Sequence, residues 1–343
     1  DTQKATQTYS LPVTASWELD VFGRMRNAKK QSQALYAQSE DYRQAVRTQL
    51  IAGIANTYYT LLMLDEQLAI SRQTEEAWKE TVASTRASMI AGMANESAVS
   101  QMEATYYQVQ GSVLDLRKQI NQAENSLALL LAETPRHYER GSLAQQQFPT
   151  DFSVGIPVQM LSGRPDVRSA ERSLEAAFYG INKARSAFYP SITLSGSAGW
   201  TNSAGVMILN PGKFLASAVG SLTQPLFNRG QVVAQYRIAR AQQEEAALGF
   251  QQTLLNAGSE VNDALTAYQT SQGKKLLLDK QVASLQTALR STSLLMEHGN
   301  TTYLEVLTAR QTLLSAQLSQ TANHFTEIQS LINLFQALGG GQN

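Results

Sequence analysis

Residues that could carry out chemistry are few and widely spaced in this sequence of 343 residues. Cysteine is absent, so the chain offers neither a disulfide framework nor a thiolate metal site. The three histidines, His137, His298 and His324, lie far apart in sequence, and we do not expect them to form a metal site. Ser271 and Lys274 match the Ser-x-x-Lys pattern of a serine nucleophile and its base. They lie in a polar helical stretch without a partner motif, so we interpret the match as chance.

Glycine-rich stretches and the net charge argue against two further kinds of site. GSAG (196–199) and GGG (339–341) lack the strand–GxxxxGK–helix context of a phosphate-binding loop. The formal net charge is zero, whereas DNA-binding proteins usually carry a basic surplus. No run of eighteen apolar residues occurs, so the sequence predicts no transmembrane helix. We therefore predict a protein that is not an enzyme, uses no metal or cofactor and binds no nucleic acid.

The positions of proline indicate where long helices can form. The eight prolines leave two blocks without any, residues 13–134 and 226–343. A proline inside a helix costs ~3 kcal/mol, and both blocks are rich in residues that favour helices. We predict that each block begins with a helix of roughly 70 residues, about 100 Å long. The expected bounds are Arg24 to Gly92 and Arg229 to Gly299.

The second block contains a narrow apolar seam. Leu254, Val261 and Tyr268 recur every seven residues, as in coiled coils. The polar stretch QTSQGKK (269–275) interrupts this seam. We interpret it as a change of packing partner along a continuous helix, and a loop is the alternative.

Each block also contains a later break that predicts the tip of a helical hairpin. In MIAGMANESAV, Gly92 is expected to end the first helix and Asn95 to cap the next one. In MEHGNTTYLEV, Gly299 has the same helix-ending role. Thr302, followed three residues later by Glu305, predicts a capping box for the helix that begins there.

The two blocks match each other, which predicts a tandem duplication. Phe22-Gly-Arg24 corresponds to Phe227-Asn-Arg229, an offset of 205 residues. Residues 50–53 and 255–258 share the pattern Leu-x-Ala-Gly at the same offset, whereas the two tip glycines are 207 residues apart.

Three short segments alternate between apolar and polar residues, which is typical of strands with one apolar face. They are residues 10–21, 192–200 and 214–227, the last with weaker alternation. Strands of about ten residues flanked by aromatic side chains are typical of membrane β-barrels. The aromatic residues expected at the membrane interfaces are Trp17, Phe22, Phe188, Tyr189, Trp200, Phe214 and Phe227.

A small soluble sheet, with one face on a core and the other in water, is the alternative. Against it, only three strands are visible, and the adjoining helices are too long to cover a small sheet. A sheet in lipid can have no open edges, because unpaired backbone groups in hydrocarbon cost several kcal/mol each. Three strands cannot close a barrel, so we expect several copies of the chain to share one.

These elements divide the chain into predicted segments. They are 1–23 (a transmembrane β-strand of the first repeat), 24–134 (its long helix and hairpin helix), 135–163 (a connector), 164–189 (a helix of the second repeat), 190–227 (a transmembrane β-hairpin), 228–338 (the long helix and hairpin helix of the second repeat) and 339–343 (a C-terminal tail). The predicted fold class is mainly α with membrane β and a tandem structural repeat.

Several motifs, in a consistent order, resemble those of the TolC/OprM-type outer-membrane factor family. They are SWELDVFGRMRNA (16–28), GRPDVRSAE (163–171), QPLFNRGQ (224–231), GNTTYLEVLTAR (299–310) and LFQALGGG (334–341). The resemblance covers essentially the whole chain, and SWELDVFGR and GRPDV favour the efflux branch. It implies three protomers that share one twelve-stranded transmembrane β-barrel above a periplasmic α-barrel of long helical hairpins.

The resemblance implies the outer-membrane exit duct of a tripartite efflux pump in a Gram-negative bacterium. The implied partners are two further copies of the chain, a periplasmic adaptor, an inner-membrane transporter and outer-membrane lipid. We expect a transporter of the resistance-nodulation-division type, and an ABC-type transporter is left open. A type I protein-secretion channel and a structural periplasmic coiled-coil protein are the alternative functions.

The hairpin tips are expected to form the periplasmic mouth and, by resemblance, to dock the adaptor. The residues assigned to docking are Gly92, Met93, Ala94, Asn95, Gly299, Asn300, Thr301 and Thr302. In close relatives a Leu and an Asp four residues apart form the narrowest ring, and the matching residues here are Leu304 and Thr308. This spacing places both on one helix face. Thr308 removes the carboxylate ring, and Glu305 either replaces it or serves only the capping box.

The first repeat lacks the helix and strand that precede the second strand of the other repeat. The resemblance implies that an N-terminal segment with helices and a first strand, often after a lipidated cysteine, precedes Asp1. We therefore expect Asp1 to lie in a surface loop equivalent to residues 201–213, and the chain to be the C-terminal piece of a longer protein.

Overall fold

The computed structural model describes residues 9–146, 158–202, 213–298 and 301–340. Within them the chain is mainly helical, with one antiparallel sheet. The elements are β1 (Tyr9–Leu19), α1 (Arg24–Ile90), α2 (Glu96–Leu131), two short 3₁₀ helices (Leu143–Gln145 and Val158–Gly163), α3 (Pro165–Ser186), β2 (Ser191–Asn202), β3 (Lys213–Thr223), α4 (Gln231–Glu297) and α5 (Tyr303–Ala337). Across the described part of the chain, no helix combines the length and the apolar character needed to cross a membrane.

The helices repeat with constant spacing, which confirms the tandem duplication. α1 and α4 each contain 67 residues, and both their first and their last residues are 207 positions apart. The motif matches at an offset of 205 lie between this value and the offset of 204 between the ends of β1 and β3. The difference arises in the connections from strand to helix. Residues 224–230 join β3 to α4, whereas only residues 20–23 join β1 to α1.

The start of α4 differs from the prediction. α4 begins at Gln231 and not at Arg229, because Arg229 (φ 54°) and Gly230 (φ 75°) both have a left-handed backbone. A right-handed helix cannot include such residues. Before α1 a single left-handed residue, Gly23 (φ 77°), makes the same transition. α1 begins at Arg24, as expected.

One compact unit consists of the described residues of Asp1–Tyr42 and Asp166–Thr253. Its sheet has the order β1-β2-β3, and both strand pairs are antiparallel. β2 is the central strand, with Trp17 of β1 opposite Leu194 of β2 in the register. β3 ends at Thr223, before the predicted end at residue 227, and Pro225 follows, which has no amide proton to continue the ladder.

The chain turns from β1 into α1 at Asp20. Its carboxylate accepts hydrogen bonds from the amides of Met25 (2.9 Å) and Arg26 (2.8 Å), two of the donors that a helix start leaves unpaired. Glu18 and Arg24 form an ion pair across the same turn. The strand therefore ends at Leu19, two residues before the predicted end.

The other compact unit consists of the described residues of Arg43–Pro165 and Leu254–Asn343. Among the described residues, its core includes two clusters of buried side chains. The first is Leu62, Leu143 and Ile328, and the second is Trp78, Met102 and Val109. Because the first cluster joins α1, the connector and α5, the connector is part of this core and not an external loop.

The polar stretch 269–275 is helical, so the predicted continuous helix is confirmed over the loop. Ser271 of this stretch is buried, and its carbonyl accepts a hydrogen bond from the side-chain amide of Asn323 on α5 (2.8 Å). Lys275 forms an ion pair with Glu327 of α5 (3.3 Å). Polar residues of α4 thus face polar residues of α5, which explains why the apolar seam stops without ending the helix.

Candidate functional site

The first tip turns through a left-handed glycine. Gly92 has φ 79°. Its amide donates to the carbonyl of Met89 (3.0 Å), and the amide of Met93 donates to the carbonyl of Ser88 (2.9 Å). These bonds satisfy carbonyls at the end of α1. The side chain of Asn95 then accepts a hydrogen bond from the amide of Ala98 (2.8 Å), so the predicted cap of α2 is confirmed.

Exposed apolar side chains surround this turn. Ile90 is 82% exposed and Met93 is 74% exposed, whereas Ala94 is only partly exposed. Asn95 is exposed but has its side-chain oxygen engaged in the cap. The first tip therefore presents apolar surface to its surroundings on a rigid, hydrogen-bonded turn.

The second tip is described except for Gly299 and Asn300, which lie outside the described residues. α4 ends at Glu297, and the ring of His298 donates from Nδ1 to the carbonyl of Leu294 (2.8 Å). Residues 1–8, most of the 201–213 segment and residues 341–343 likewise lie outside the described residues.

The predicted capping box is wrong. Thr302 is the N-cap of α5, but its side chain makes no cap hydrogen bond. The carboxylate of Glu305 accepts a hydrogen bond from the hydroxyl of Thr301, and the amide of Glu305 bonds to the Thr302 carbonyl (3.2 Å). In a capping box the hydroxyl of Thr302 would accept from the amide of Glu305, and the carboxylate of Glu305 would accept from the amide of Thr302. The bond from the Thr301 hydroxyl to the Glu305 carboxylate is neither of these.

Leu304 and Thr308 lie on an exposed face at the start of α5. Leu304 is 58% exposed, and Thr308 is exposed as well. The Thr308 hydroxyl donates to the carbonyl of Leu304 (2.8 Å), so it is engaged by its own helix. Glu305 is exposed beside them, whereas Val306 is buried.

The adjacent face of α5 packs against the hairpin of α1 and α2. Tyr303, Leu307 and Leu314 of α5 pack against the buried cluster of Trp78, Met102 and Val109. We call these six residues the tip seam. Leu304 and Thr308 lie about 100° around the helix from the centre of this face, so the exposed face that carries Leu304 borders the tip seam. Sequence reasoning did not identify this seam, although the 303–307–314 spacing is a helical one.

Two buried arginines of the connector bind one helical hairpin each, and neither was predicted. The Arg140 side chain, 6% exposed, bonds to Asp65 of α1 (2.9 Å from Nη2) and Glu124 of α2 (2.7 Å). His137 also contacts Glu124 (2.7 Å). Burial acts to raise the pKa of Glu124, but the hydrogen bonds from Arg140 and His137 outweigh it and hold the pKa below its usual value.

The second of these arginines is Arg164, in the GRPD motif. It donates to the carbonyl of Ala337 at the end of α5 (2.8 Å) and to the carboxylate of Glu260 on α4 (2.6 Å). A cation at a helix C-terminus is favourable, because it faces the partial negative charge of the last carbonyls. Arg140 and Arg164 therefore play matching roles in the two repeats.

Four of the seven predicted interface aromatics form two pairs, one at each end of the sheet. Phe22 and Tyr189 stack with ring centroids 4.7 Å apart, and Trp200 and Phe214 meet edge to face at 5.3 Å. The other predicted residues, Trp17, Phe188 and Phe227, are exposed. Within the described residues, no group of three His, Cys, Asp or Glu side chains could hold a metal ion.

Comparison with known families decides the classification. The model of the family described as outer membrane efflux protein matches residues 2–133 and 156–340. The chain belongs to the outer membrane efflux protein family. Members of this family are channels of the outer membrane, which is therefore the location of this chain.

Curated relatives of this efflux protein have names from several kinds of efflux pump. The cation efflux system protein CusC of Escherichia coli O6:H1 is 29% identical, over 98% of this chain and 73% of its own length. The toluene efflux pump outer membrane protein TtgI of Pseudomonas putida is 30% identical, over 97% of this chain and 71% of its own length. These names favour the efflux branch over protein secretion or a structural periplasmic role.

The solved structures agree on the fold of the efflux protein. A crystal structure of CusC, described in terms of folding and transmembrane channel formation, superposes with a TM-score of 0.91. The two sequences are 28% identical, and the match covers 99% of this chain and 80% of that one. The predicted family, fold class and role as an outer-membrane exit duct are thereby confirmed.

Proposed function

We propose that the chain works as a homotrimer, in which three copies share a transmembrane β-barrel and surround one duct. The match to the family over nearly the whole chain carries this proposal. A three-stranded sheet in lipid leaves two unpaired edges, and pairing with neighbouring copies removes them. The aromatic pairs at the two ends of the sheet suit the two membrane interfaces, where such side chains are enriched.

The gate of this duct is the exposed start of α5. Leu304 from three protomers forms an apolar constriction, with Thr308 one turn behind it. Since the Thr308 hydroxyl is bonded to the backbone, this ring offers the passing cargo little polarity. Glu305 is the acidic group beside the constriction, and its bond to Thr301 holds it in place. Opening is a packing change of the tip helices.

The tips dock a periplasmic adaptor. Ile90 and Met93 supply exposed apolar surface around a turn that Gly92 and Asn95 keep tight. The docking set is Gly92, Met93, Ala94 and Asn95 of the first tip, with Gly299, Asn300, Thr301 and Thr302 of the second. The third member of the pump is an inner-membrane transporter, and we assign the resistance-nodulation-division type on the efflux-branch motifs.

The cargo is set by the transporter and not by this chain. One relative is named for cations and another for toluene, so channels of similar sequence serve chemically unlike cargo. We propose no catalytic step, since the chain acts as a passive duct.

Single-channel current across a planar bilayer tests this function with the purified full-length protein. We expect small, mostly closed currents that grow when Leu304 and Thr308 are both replaced by Gly. The matched control replaces Gln311 and Ser315 by Gly, because they have the same spacing on the same helix but lie beyond the proposed constriction. Absence of current from the unmodified protein contradicts the duct, and equal currents from both double variants remove Leu304 and Thr308 from the gate.

A further inference from the structure

A positive charge lies within the tip seam. Arg310 follows Tyr303 and Leu307 and precedes Leu314 at the spacing 303–307–310–314, so it shares the face of α5 that packs on the α1–α2 hairpin. Its guanidinium is 5.8 Å from the ring centroid of Trp78, a side chain that is fully buried. The seam is therefore apolar on both sides of this residue.

The guanidinium of Arg310 has few hydrogen-bond acceptors around it. One terminal nitrogen of Arg310 donates to the backbone carbonyl of Ala77 on α1 (2.9 Å). The Nε atom of Arg310 and the indole Nε1 of Trp78 are buried without an acceptor in the part of the chain that the structure describes. Burial lowers the pKa of Arg310, and the charge of Glu80 acts in the opposite direction. The observed packing thus holds a partly buried cation between one neutral hydrogen-bond acceptor and the ring of Trp78.

Such an arrangement weakens a helix interface while it fixes its register. A charge in a protein interior is costly unless its hydrogen bonds are complete, and apolar replacements of buried charges are often neutral or stabilising. A single polar residue in a coiled-coil seam specifies alignment at a cost in stability. In the observed alignment of α5 on α1, Arg310 bonds to the Ala77 carbonyl and lies over the ring of Trp78. Because the indole occurs at one position of this part of α1, the two contacts together favour this alignment over shifted ones.

We propose that Arg310 is a positioning residue of the gate, which aligns the start of α5 on α1 and keeps the tip seam weak enough to open. This inference rests on the proposed gate at Leu304, six residues earlier on the same helix. When the seam separates, the guanidinium gains water, and this gain offsets the apolar contacts that are lost. The charge therefore lowers the free-energy difference between the closed and the open packing.

Two measurements on the purified full-length protein test this role. In Arg310→Met the side chain stays long and flexible but loses its charge, and in Arg310→Lys it keeps its charge. The control is Arg290→Met, because Arg290 is an exposed residue of α4 whose side chain donates to Gln286 and Thr287 of its own helix. Deuterium exchange of the amides of residues 303–314 reports opening of the seam without any assumption about the channel.

We expect Arg310→Met to slow this exchange about tenfold and to lower the open fraction of the single-channel current about tenfold. Arg310→Lys stays within about twofold of the unmodified protein, since an ammonium also gains water on opening. Unchanged or faster exchange in Arg310→Met overturns the inference, because a merely structural arginine leaves a looser seam when removed. If exchange slows while the unmodified protein passes no current, the weak seam stands and the proposed duct fails.

Discussion

Removal of Arg140 should loosen the connector from both helices of the first hairpin. In Arg140→Met the apolar stem is retained, but Asp65 and Glu124 lose the guanidinium that joins them. The Arg140 side chain is 6% exposed and that of Glu124 is 11% exposed, so water cannot readily replace the lost hydrogen bonds. His137 alone remains on Glu124.

The expected loss of local stability is about 2–3 kcal/mol. Breaking a buried ion pair by removal of one partner costs ~3–5 kcal/mol. The figure is reduced here, because the Asp65 side chain is 36% exposed and an exposed pair contributes ~0–1 kcal/mol. In terms of local opening, about 2–3 kcal/mol corresponds to roughly a 30- to 150-fold faster deuterium exchange of the connector amides.

The assay is deuterium exchange of residues 137–146 in the purified protein, with Arg136→Met as control. Arg136 lies in the same connector, but its side chain is 62% exposed and pairs with Glu133 three residues earlier. The control should change exchange by less than about fivefold. Equal effects of the two variants would refute the reasoning, because they would show that the buried contacts of Arg140 contribute no more than an exposed pair.

The effect of Arg140→Met on connector exchange, relative to the unmodified protein, should depend on pH. In the unmodified protein the pKa of Glu124 is lowered. Its contribution to stability is therefore fully present above the pKa that Glu124 has in the unfolded chain, and it is lost as the pH falls through the pKa of Glu124 in the folded protein. Arg140→Met leaves Glu124 partly desolvated, which raises its pKa. The difference in connector exchange rate between the two proteins, after correction for intrinsic exchange rates, should therefore become smaller as the pH falls and Glu124 becomes protonated.

Two further predictions concern the first tip and the second connector arginine. Gly92→Ala should lower local stability by ~1 kcal/mol, since Gly92 has φ 79° and an added Cβ meets no atom within 4 Å, so only backbone strain acts. Faster exchange at residues 88–93 checks this, and no change would mean that the turn relaxes to another conformation. Arg164→Met should speed exchange at residues 334–340 about tenfold, because the Ala337 carbonyl loses its donor. An effect spread evenly over α4 and α5 would contradict a contact local to the helix end.

Much of the helical architecture could be predicted because it depends on local properties. Stretches without proline become α1 and α4, Gly92 ends the first tip in a left-handed conformation, and Asn95 caps α2. Each of these outcomes depends on residues within a few positions of one another. The same holds for Thr308, which bonds to the carbonyl of Leu304 one turn before it.

The failures at the second tip and in the repeat alignment have two different physical causes. The capping box needs the Glu305 amide to bond to the Thr302 hydroxyl, but this amide bonds to the Thr302 carbonyl and the Glu305 carboxylate accepts from Thr301, a choice that sequence spacing does not decide. The offset of 205 came from matching residue types, which does not detect the longer turn at Arg229 and Gly230. The offset between the repeats therefore changes along the chain with the length of the connections.

The buried arginines could not be predicted because their partners are distant in sequence. Arg140 is 75 residues from Asp65, and Arg164 is 173 residues from Ala337. Arg310 bonds to a backbone carbonyl 233 residues away, which carries no residue-specific pattern at all. Only the packed helices bring these groups together.

The near-equality of the two hairpins has a consequence for symmetry. Helices of 67 and 36 residues in one repeat correspond to helices of 67 and 35 in the other. In the homotrimer that we propose, three copies of the chain would contribute six hairpins of nearly equal length, of two alternating kinds, to a ring with pseudo-sixfold symmetry. A ring of six identical ligands would meet two different environments, and every second contact would differ by the presence of Leu304 and Arg310.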